Sequence, residues 1–88
     1  MLKKLIMNTQ IIKVLLVDDH ELVRSGIKYL LDADPNIEVI AVASSGEEAI
    51  ELVKKLTPDV ILMDLNMPGM GGSEAIKRIL RHTPSAKI

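Results

Sequence analysis

Three aspartates stand at the ends of two apolar runs, and they are the residues of this sequence best suited to chemistry. Asp18 and Asp19 follow the run 11–17, and Asp64 follows the run 60–63. If the two runs are neighbouring strands, the three carboxylates converge in one pocket and repel one another unless a cation neutralises them. Oxygen ligands of this kind suit a hard ion such as Mg²⁺, which usually shares phosphate oxygens with one or two carboxylates. The acids therefore indicate phosphoryl chemistry, in which a carboxylate can itself be the nucleophile.

Simpler explanations exist for these polar residues. Asp18 or Asp19 could cap the helix that follows, because acids are common at that position. We favour a site, since two adjacent acids at one strand end, a third acid at another and a loop containing Pro68 are more than capping requires. His20 could be a further ligand, although a lone histidine that opens a helix is more often solvated.

The hydrophobic pattern predicts the elements that would position these acids. Short runs rich in β-branched residues predict strands at 11–17, 37–42 and 60–63. Ser45 and Glu48 form a capping box at the start of the second of three helices. The helical stripes are formed by Val23, Ile27, Leu30 and Leu31; by Ala49, Leu52, Val53 and Leu56; and by Ala75, Ile76, Ile79 and Leu80. This order predicts an α/β fold with a parallel sheet, helices on both faces and chemistry beyond the carboxyl ends of the strands.

Composition excludes several other classes of protein. The 88 residues carry 11 basic and 12 acidic side chains and a formal net charge of -1, so no basic field attracts DNA. The lack of cysteine excludes a disulfide scaffold and a thiolate metal site, and it makes a cytoplasmic location the default. No apolar run approaches the roughly 20 residues of a membrane span. We interpret residues 1–10 as an N-terminal extension and residues 11–88 as one domain.

Two segments resemble a known family. V-D-D-H-E-L-V-R-S-G (residues 17–26) and M-D-L-N-M-P-G-M-G-G (residues 63–72) are similar to the receiver domain of two-component response regulators, and the first segment is most similar to the NarL/LuxR-type branch. The resemblance implies a flavodoxin-like, doubly wound parallel sheet, with strand order 2-1-3-4-5 in the full family. Against that pattern the chain would be incomplete after its third helix, with the start of another strand at 86–88, so residues 11–88 would be a partial receiver domain.

The resemblance also implies roles for individual residues. Asp64 would accept a phosphoryl group from a sensor histidine kinase, while Mg²⁺ would be bound directly by Asp19 and Asp64. Asp18 would act mainly through a metal-bound water, and Asn66 would offer its backbone carbonyl to the ion. The domain would thus be a phosphoacceptor rather than an enzyme, and it would control DNA only through an output domain absent from this chain.

Part of the family pattern has no counterpart in residues 1–88. The Ser or Thr that ends the fourth strand of the family and the Lys that ends the fifth are missing, so phosphorylation of this chain could be slow or silent. The alternative function is a non-phosphorylated interaction module that uses the receiver shape for docking. We also expect one sheet face to be under-covered, so that the chain self-associates, most simply as a two-fold dimer.

Overall fold

Strands and helices alternate along residues 10–88, the part of the chain that the computed structural model describes. The strands are β1 (Ile12–Val17), β2 (Ile37–Ala43) and β3 (Val60–Met63), and the helices are α1 (Glu21–Asp32), α2 (Gly46–Leu56) and α3 (Gly71–His82). The predicted order of elements and the α/β class are confirmed. The predicted extension at 1–10 lies outside the described residues except for Gln10. None of the helices in residues 10–88 is long and apolar enough to cross a membrane.

The sheet is parallel and has the order β2-β1-β3, which makes β1 its central strand. Residues 14–17 of β1 are each at most 4% exposed, which accounts for an apolar run without alternation. β2 lies at an edge, as its charged residue Glu38 predicts. Beside β3, Lys87 forms a single parallel bridge to Val60, and this is the start of the further strand expected at 86–88.

Helices cover the two sheet faces unequally. α2 and α3 pack together on one face, and α1 packs on β1 and β2. Because side chains alternate along a strand, Leu16 and Leu62 point away from the face that α2 and α3 cover. The core between that face and the two helices consists of residues at most 7% exposed: Leu15, Val17, Ala43, Ala49, Val53, Ile61, Met67 and Ile79.

The predicted apolar stripe of α1 is only partly right. Ile27 and Leu31 are half-buried, but Val23 is 45% exposed and Leu30 is 71% exposed. α1 has no fully buried residue, because no element of residues 10–88 packs over the side of the helix that carries Val23 and Leu30. The stripes of α2 and α3 are correct apart from their C-terminal leucines, Leu56 and Leu80, which are each 38% exposed.

The predicted capping box of α2 forms with one change of partner. The Ser45 hydroxyl oxygen accepts a hydrogen bond from the Glu48 backbone N–H at 3.1 Å, as expected. The Glu48 carboxylate, however, accepts from the backbone N–H of Ser44 at 2.7 Å rather than from that of Ser45. The helix start is therefore held by two consecutive serines.

The loop from β3 into α3 depends on glycine for two separate reasons. Gly69 and Gly71 have φ values of +75° and +77°, in the left-handed region that side chains rarely adopt. Gly72 has no such φ, but a Cβ at this position would collide with the carbonyl oxygen of Asp64 and lie 2.7 Å from the Leu65 Cα. The first turn of α3 thus touches the backbone that carries Asp64.

We predict that Gly72→Ala destabilises the fold by about 2 kcal/mol, because the added methyl group meets backbone that cannot move aside cheaply. The matched control is Gly26→Ala in α1, where a Cβ would meet nothing within 4 Å. That change should raise the free energy of unfolding by about 1 kcal/mol, since alanine is the better helix former. Urea unfolding of both variants measures the difference, and equal effects would contradict the close approach.

Candidate functional site

β1 and β3 end side by side, and this places their following aspartates at one edge of the sheet. Val17 pairs with Met63 across the two strands, and the Asp64 backbone N–H donates to the Val17 carbonyl at 2.9 Å. On the other side of β1, the Asp18 backbone N–H donates to the Ala43 carbonyl at 3.0 Å. Backbone hydrogen bonds between neighbouring strands therefore fix the main-chain positions of Asp18 and Asp64.

Four side chains converge at this edge, and one ligand atom from each lies within 4.8 Å of the others: Asp18, Asp19, His20 and Asp64. We call the three aspartates the acidic cluster. Asp18 is buried, with 8% of its surface exposed, while Asp19 and Asp64 are half-buried and His20 is exposed. The structure thus brings together the three carboxylates that the sequence singled out, and it adds the histidine beside them.

His20 lies across the two adjacent acids. Its backbone N–H donates to the Asp18 carboxylate oxygen Oδ1 at 2.8 Å, and its ring Nδ1 lies 3.1 Å from the same oxygen and 3.1 Å from Asp19 Oδ1. The hydrogen bond with Asp18 and then the negative charge of Asp19 raise the pKa of His20 above its usual 6.5. The histidine therefore acts as a counter-charge to the acidic cluster when it is protonated.

Helix capping does not account for the adjacent aspartates. The N-cap residue of α1 is His20, which makes no side-chain cap hydrogen bond. The Asp18 carboxylate binds the N–H of His20, before the helix begins, and Asp19 Oδ1 makes no hydrogen bond within residues 10–88. Neither Asp18 nor Asp19 therefore acts as the N-cap of α1.

The loop after β3 holds Asp64 from its own side. The Asn66 backbone N–H donates to Asp64 Oδ1 at 3.0 Å, and Met67, only 7% exposed, anchors the loop in the core. Asn66 itself is exposed, and the use of its carbonyl as a ligand stays a prediction. One oxygen of Asp64 is therefore fixed by the backbone, while the other, Oδ2, has no hydrogen-bond partner within residues 10–88.

A family profile described as the response regulator receiver domain matches residues 14–88. The chain belongs to this family. The receiver domain is 56% identical over 77 residues to the transcriptional regulatory protein LiaR of Bacillus subtilis, an alignment that covers 88% of this chain and 36% of LiaR. The chain thus spans about a third of the length of that relative.

Solved structures agree with the fold of the receiver domain. A two-component response regulator of the LuxR family from Aurantimonas matches with a TM-score of 0.84 and 39% identity, covering 88% of this chain and 55% of the other. The isolated receiver domain of RcsB from Salmonella enterica, determined with the phosphomimetic BeF3⁻, matches with a TM-score of 0.79 and 32% identity, covering 88% and 58%. The flavodoxin-like fold and the NarL/LuxR-type resemblance are therefore confirmed.

The acidic cluster of this receiver domain fits a divalent cation. The Asp19 Oδ1 atom is shielded from solvent and accepts no hydrogen bond from the described residues 10–88, although His20 Nδ1 lies 3.1 Å away. A buried carboxylate oxygen without a hydrogen-bond partner costs free energy, and a bound cation would recover that cost. Together with Asp64 at the same edge, the site offers carboxylate oxygens as metal ligands, the type that Mg²⁺ prefers.

Arg24 is the residue near the site that the sequence did not single out. Its guanidinium Nη1 donates a partly buried hydrogen bond to the backbone carbonyl oxygen of Asp18 at 2.7 Å. A basic residue so close to the start of a helix is unfavourable for the helix dipole, and this was the available signal. The positively charged side chain of Arg24 therefore holds the backbone at Asp18.

We predict that an NMR titration of the His20 ring has a midpoint above 6.5 and that Asp18→Asn lowers this midpoint, because a neutral amide weakens the hydrogen bond that contributes most to the raised pKa. Since the folded state has the higher pKa, the contact stabilises the fold below the unfolded pKa, and the stabilisation is lost as pH rises through the folded value. Asp34→Asn, in the turn before β2, is the control and should leave the midpoint unchanged. A midpoint that does not respond to Asp18→Asn would refute the contact.

Proposed function

We propose that this receiver domain is the phosphoacceptor of a two-component response regulator and that Asp64 takes the phosphoryl group from a sensor histidine kinase. The observation that carries the proposal is the convergence of Asp64 with Asp18 and Asp19 within 4.8 Å at the carboxyl ends of two paired strands. Kinship with the transcriptional regulator LiaR, and with an RcsB domain determined with the phosphomimetic BeF3⁻, supports it.

Asp64 would act through its free carboxylate oxygen. Asn66 holds Oδ1 by a backbone hydrogen bond of 3.0 Å, which leaves Oδ2 to attack phosphorus. The new bond joins Oδ2 to phosphorus as the bond from phosphorus to the histidine nitrogen of the kinase breaks, and the electron pair leaves with that nitrogen. Phosphoryl transfer of this kind asks the protein for orientation and charge compensation rather than for further covalent chemistry.

The acidic cluster would hold the Mg²⁺ that compensates this charge. When bound, the ion would neutralise the carboxylates and the phosphoryl oxygens. We assign direct ligation to Asp19 and Asp64 and a further contact to the backbone carbonyl of Asn66. Asp18 suits a contact through water, because its Oδ1 already accepts a hydrogen bond from the His20 N–H at 2.8 Å.

The function of the whole protein is a wider proposal, since the chain spans 36% of LiaR. We propose that a phosphorylated receiver domain controls transcription through a DNA-binding output domain and that both act in the cytoplasm. The 88-residue chain carries a formal net charge of -1 and offers no basic field for DNA. Contact with DNA is therefore assigned to the output domain alone.

We predict that the full-length protein takes label from radiolabelled acetyl phosphate with Mg²⁺, and that Asp64→Asn takes none, because the amide cannot act as the nucleophile. The label should be released by alkaline hydroxylamine, as expected for an acyl phosphate. Asp59→Asn, at the opposite end of β3, is the matched control and should be labelled like the wild type. Label that persists in Asp64→Asn would place the chemistry elsewhere, and an unlabelled wild type would favour the interaction module.

The second candidate, an interaction module, is favoured by the apolar surface beside α1. A groove lined by Leu16, Ile27 and Leu62 runs up to the acidic cluster, and Leu62 is 39% exposed. The neighbouring α1 residues Val23 and Leu30 are more exposed still, at 45% and 71%. Val23 and Leu30 share the helical stripe of Ile27, and we call the groove together with these two residues the α1–β3 groove. We propose a second copy of the chain as its occupant, since two-fold pairing would cover both apolar surfaces at once.

We predict that the 88-residue chain sediments as a dimer at micromolar concentration and that Leu30→Gln weakens the dimer, because this leucine contributes apolar area at the α1–β3 groove. Leu80→Gln on α3 is the control for adding a polar side chain to an exposed helical position. Sedimentation equilibrium distinguishes the species. A wild-type monomer that unfolds cooperatively, or equal effects of the two substitutions, would contradict the assignment of the groove.

A further inference from the structure

Arg24 joins helix α1 to the loop that carries Asp18 and Asp19, two members of the acidic cluster. Its side-chain Nη1 donates to the Asp18 carbonyl oxygen at 2.7 Å, in a partly buried hydrogen bond. Its own backbone N–H donates to the His20 carbonyl at 2.9 Å, at the start of the helix. One residue of α1 therefore holds the loop both through its main chain and through its side chain.

The accepting atom matters, because the Asp18 carbonyl belongs to the peptide that joins Asp18 to Asp19. A peptide unit is planar, so fixing the direction of its C=O also fixes the N–H and the Cα of Asp19. On the other side of Asp18, the backbone N–H is held by the Ala43 carbonyl at 3.0 Å. The two hydrogen bonds together set the direction in which both carboxylates leave the backbone.

The guanidinium of Arg24 leaves the carboxylates available. Within residues 10–88 Arg24 forms no ion pair with an aspartate or glutamate. A forked arginine–carboxylate pair would occupy the oxygens that a cation requires. A hydrogen bond to a backbone carbonyl orders the loop without using them.

We propose that Arg24 is a positioning residue that orients the Asp18–Asp19 peptide so that both carboxylates meet Asp64 in a geometry fit for Mg²⁺. The inference rests on the proposed magnesium site. Arg24 touches neither the ion nor the phosphoryl group in this assignment, and it acts only through the Asp18 carbonyl.

The sign of the effect separates positioning from simple electrostatics. Removal of a positive charge near a divalent cation site strengthens cation binding if Coulomb attraction alone matters. Loss of the hydrogen bond releases the Asp18–Asp19 peptide and weakens binding. Arg24→Met keeps much of the aliphatic stem and removes both the charge and the donors, so the direction in which its Mg²⁺ affinity changes tests the proposal.

The experiment is an NMR titration of the 88-residue chain with Mg²⁺ in the wild type and three variants. Arg24→Met should raise the Kd roughly tenfold, as substitutions behind metal ligands commonly do. Arg24→Lys keeps the charge and N–H donors but loses the planar guanidinium, so its Kd should fall between those of the wild type and Arg24→Met. Lys28→Met is the matched control, because Lys28 is exposed on the same helix and its ion pair, at 2.7 Å, is with Asp32 at the far end of α1. The Kd of this variant should stay close to that of the wild type.

A purely structural role would lower the urea midpoint of Arg24→Met but leave the Mg²⁺ affinity of the folded protein unchanged. Unchanged or tighter binding in folded Arg24→Met therefore overturns the inference while the magnesium site stands. If that variant does not fold, Arg24→Lys decides, and wild-type affinity in it overturns the inference. A wild type that binds no Mg²⁺ refutes the proposed site and this inference together.

Discussion

The parallel hydrogen bonds between β1 and β3 hold three carboxylates close together against their mutual repulsion. Two unit charges about 4 Å apart repel by roughly 1 kcal/mol in water and about 4 kcal/mol at the effective dielectric constant of a protein surface. The Asp64 N–H bond to Val17 and the central position of β1 keep the strand ends in register despite this cost. The local partners of the acids, His20 and Arg24, both supply positive or donating groups at the start of α1. The sheet therefore holds like charges close together at the site, and His20 at the N-cap of α1 and Arg24 within the helix offset part of the repulsion.

The fold could be predicted from sequence because its strongest signals are local. The run 11–17 has no alternation, as a strand covered on both faces requires, and Pro35 follows soon after the end of α1. The position of Asp18, Asp19 and Asp64 at one edge followed from a single rule, that parallel strands end at the same side of a sheet. The two motif segments then supplied the family, and the fold comparisons agree with it.

What could not be predicted depends on contacts between elements. Periodicity placed Leu30 in the apolar stripe of α1, but burial requires a neighbouring element on that side, and residues 10–88 provide none. The Glu48 carboxylate accepts from the backbone N–H of Ser44 and not from that of Ser45. Residue types alone do not determine which of two adjacent N–H groups is used. The helix position of Arg24 was a weak signal, and it could not show that the side chain reaches the Asp18 carbonyl oxygen.

Helix α1 lies between the acidic cluster, whose carboxylates repel one another, and the α1–β3 groove, whose apolar side chains are partly exposed. Its apolar side borders the α1–β3 groove through Ile27, and its N-terminal turn holds the Asp18 carbonyl through Arg24. A partner that covers the groove would therefore bind the same helix that we propose to position Asp18 and Asp19. If a partner in the groove shifts α1, partner binding and Mg²⁺ binding are coupled. Thermodynamic linkage then requires that each ligand change the affinity for the other by the same factor. Because β1 is fixed in the sheet on both sides, α1 is the element whose displacement can transmit that coupling without breaking the sheet.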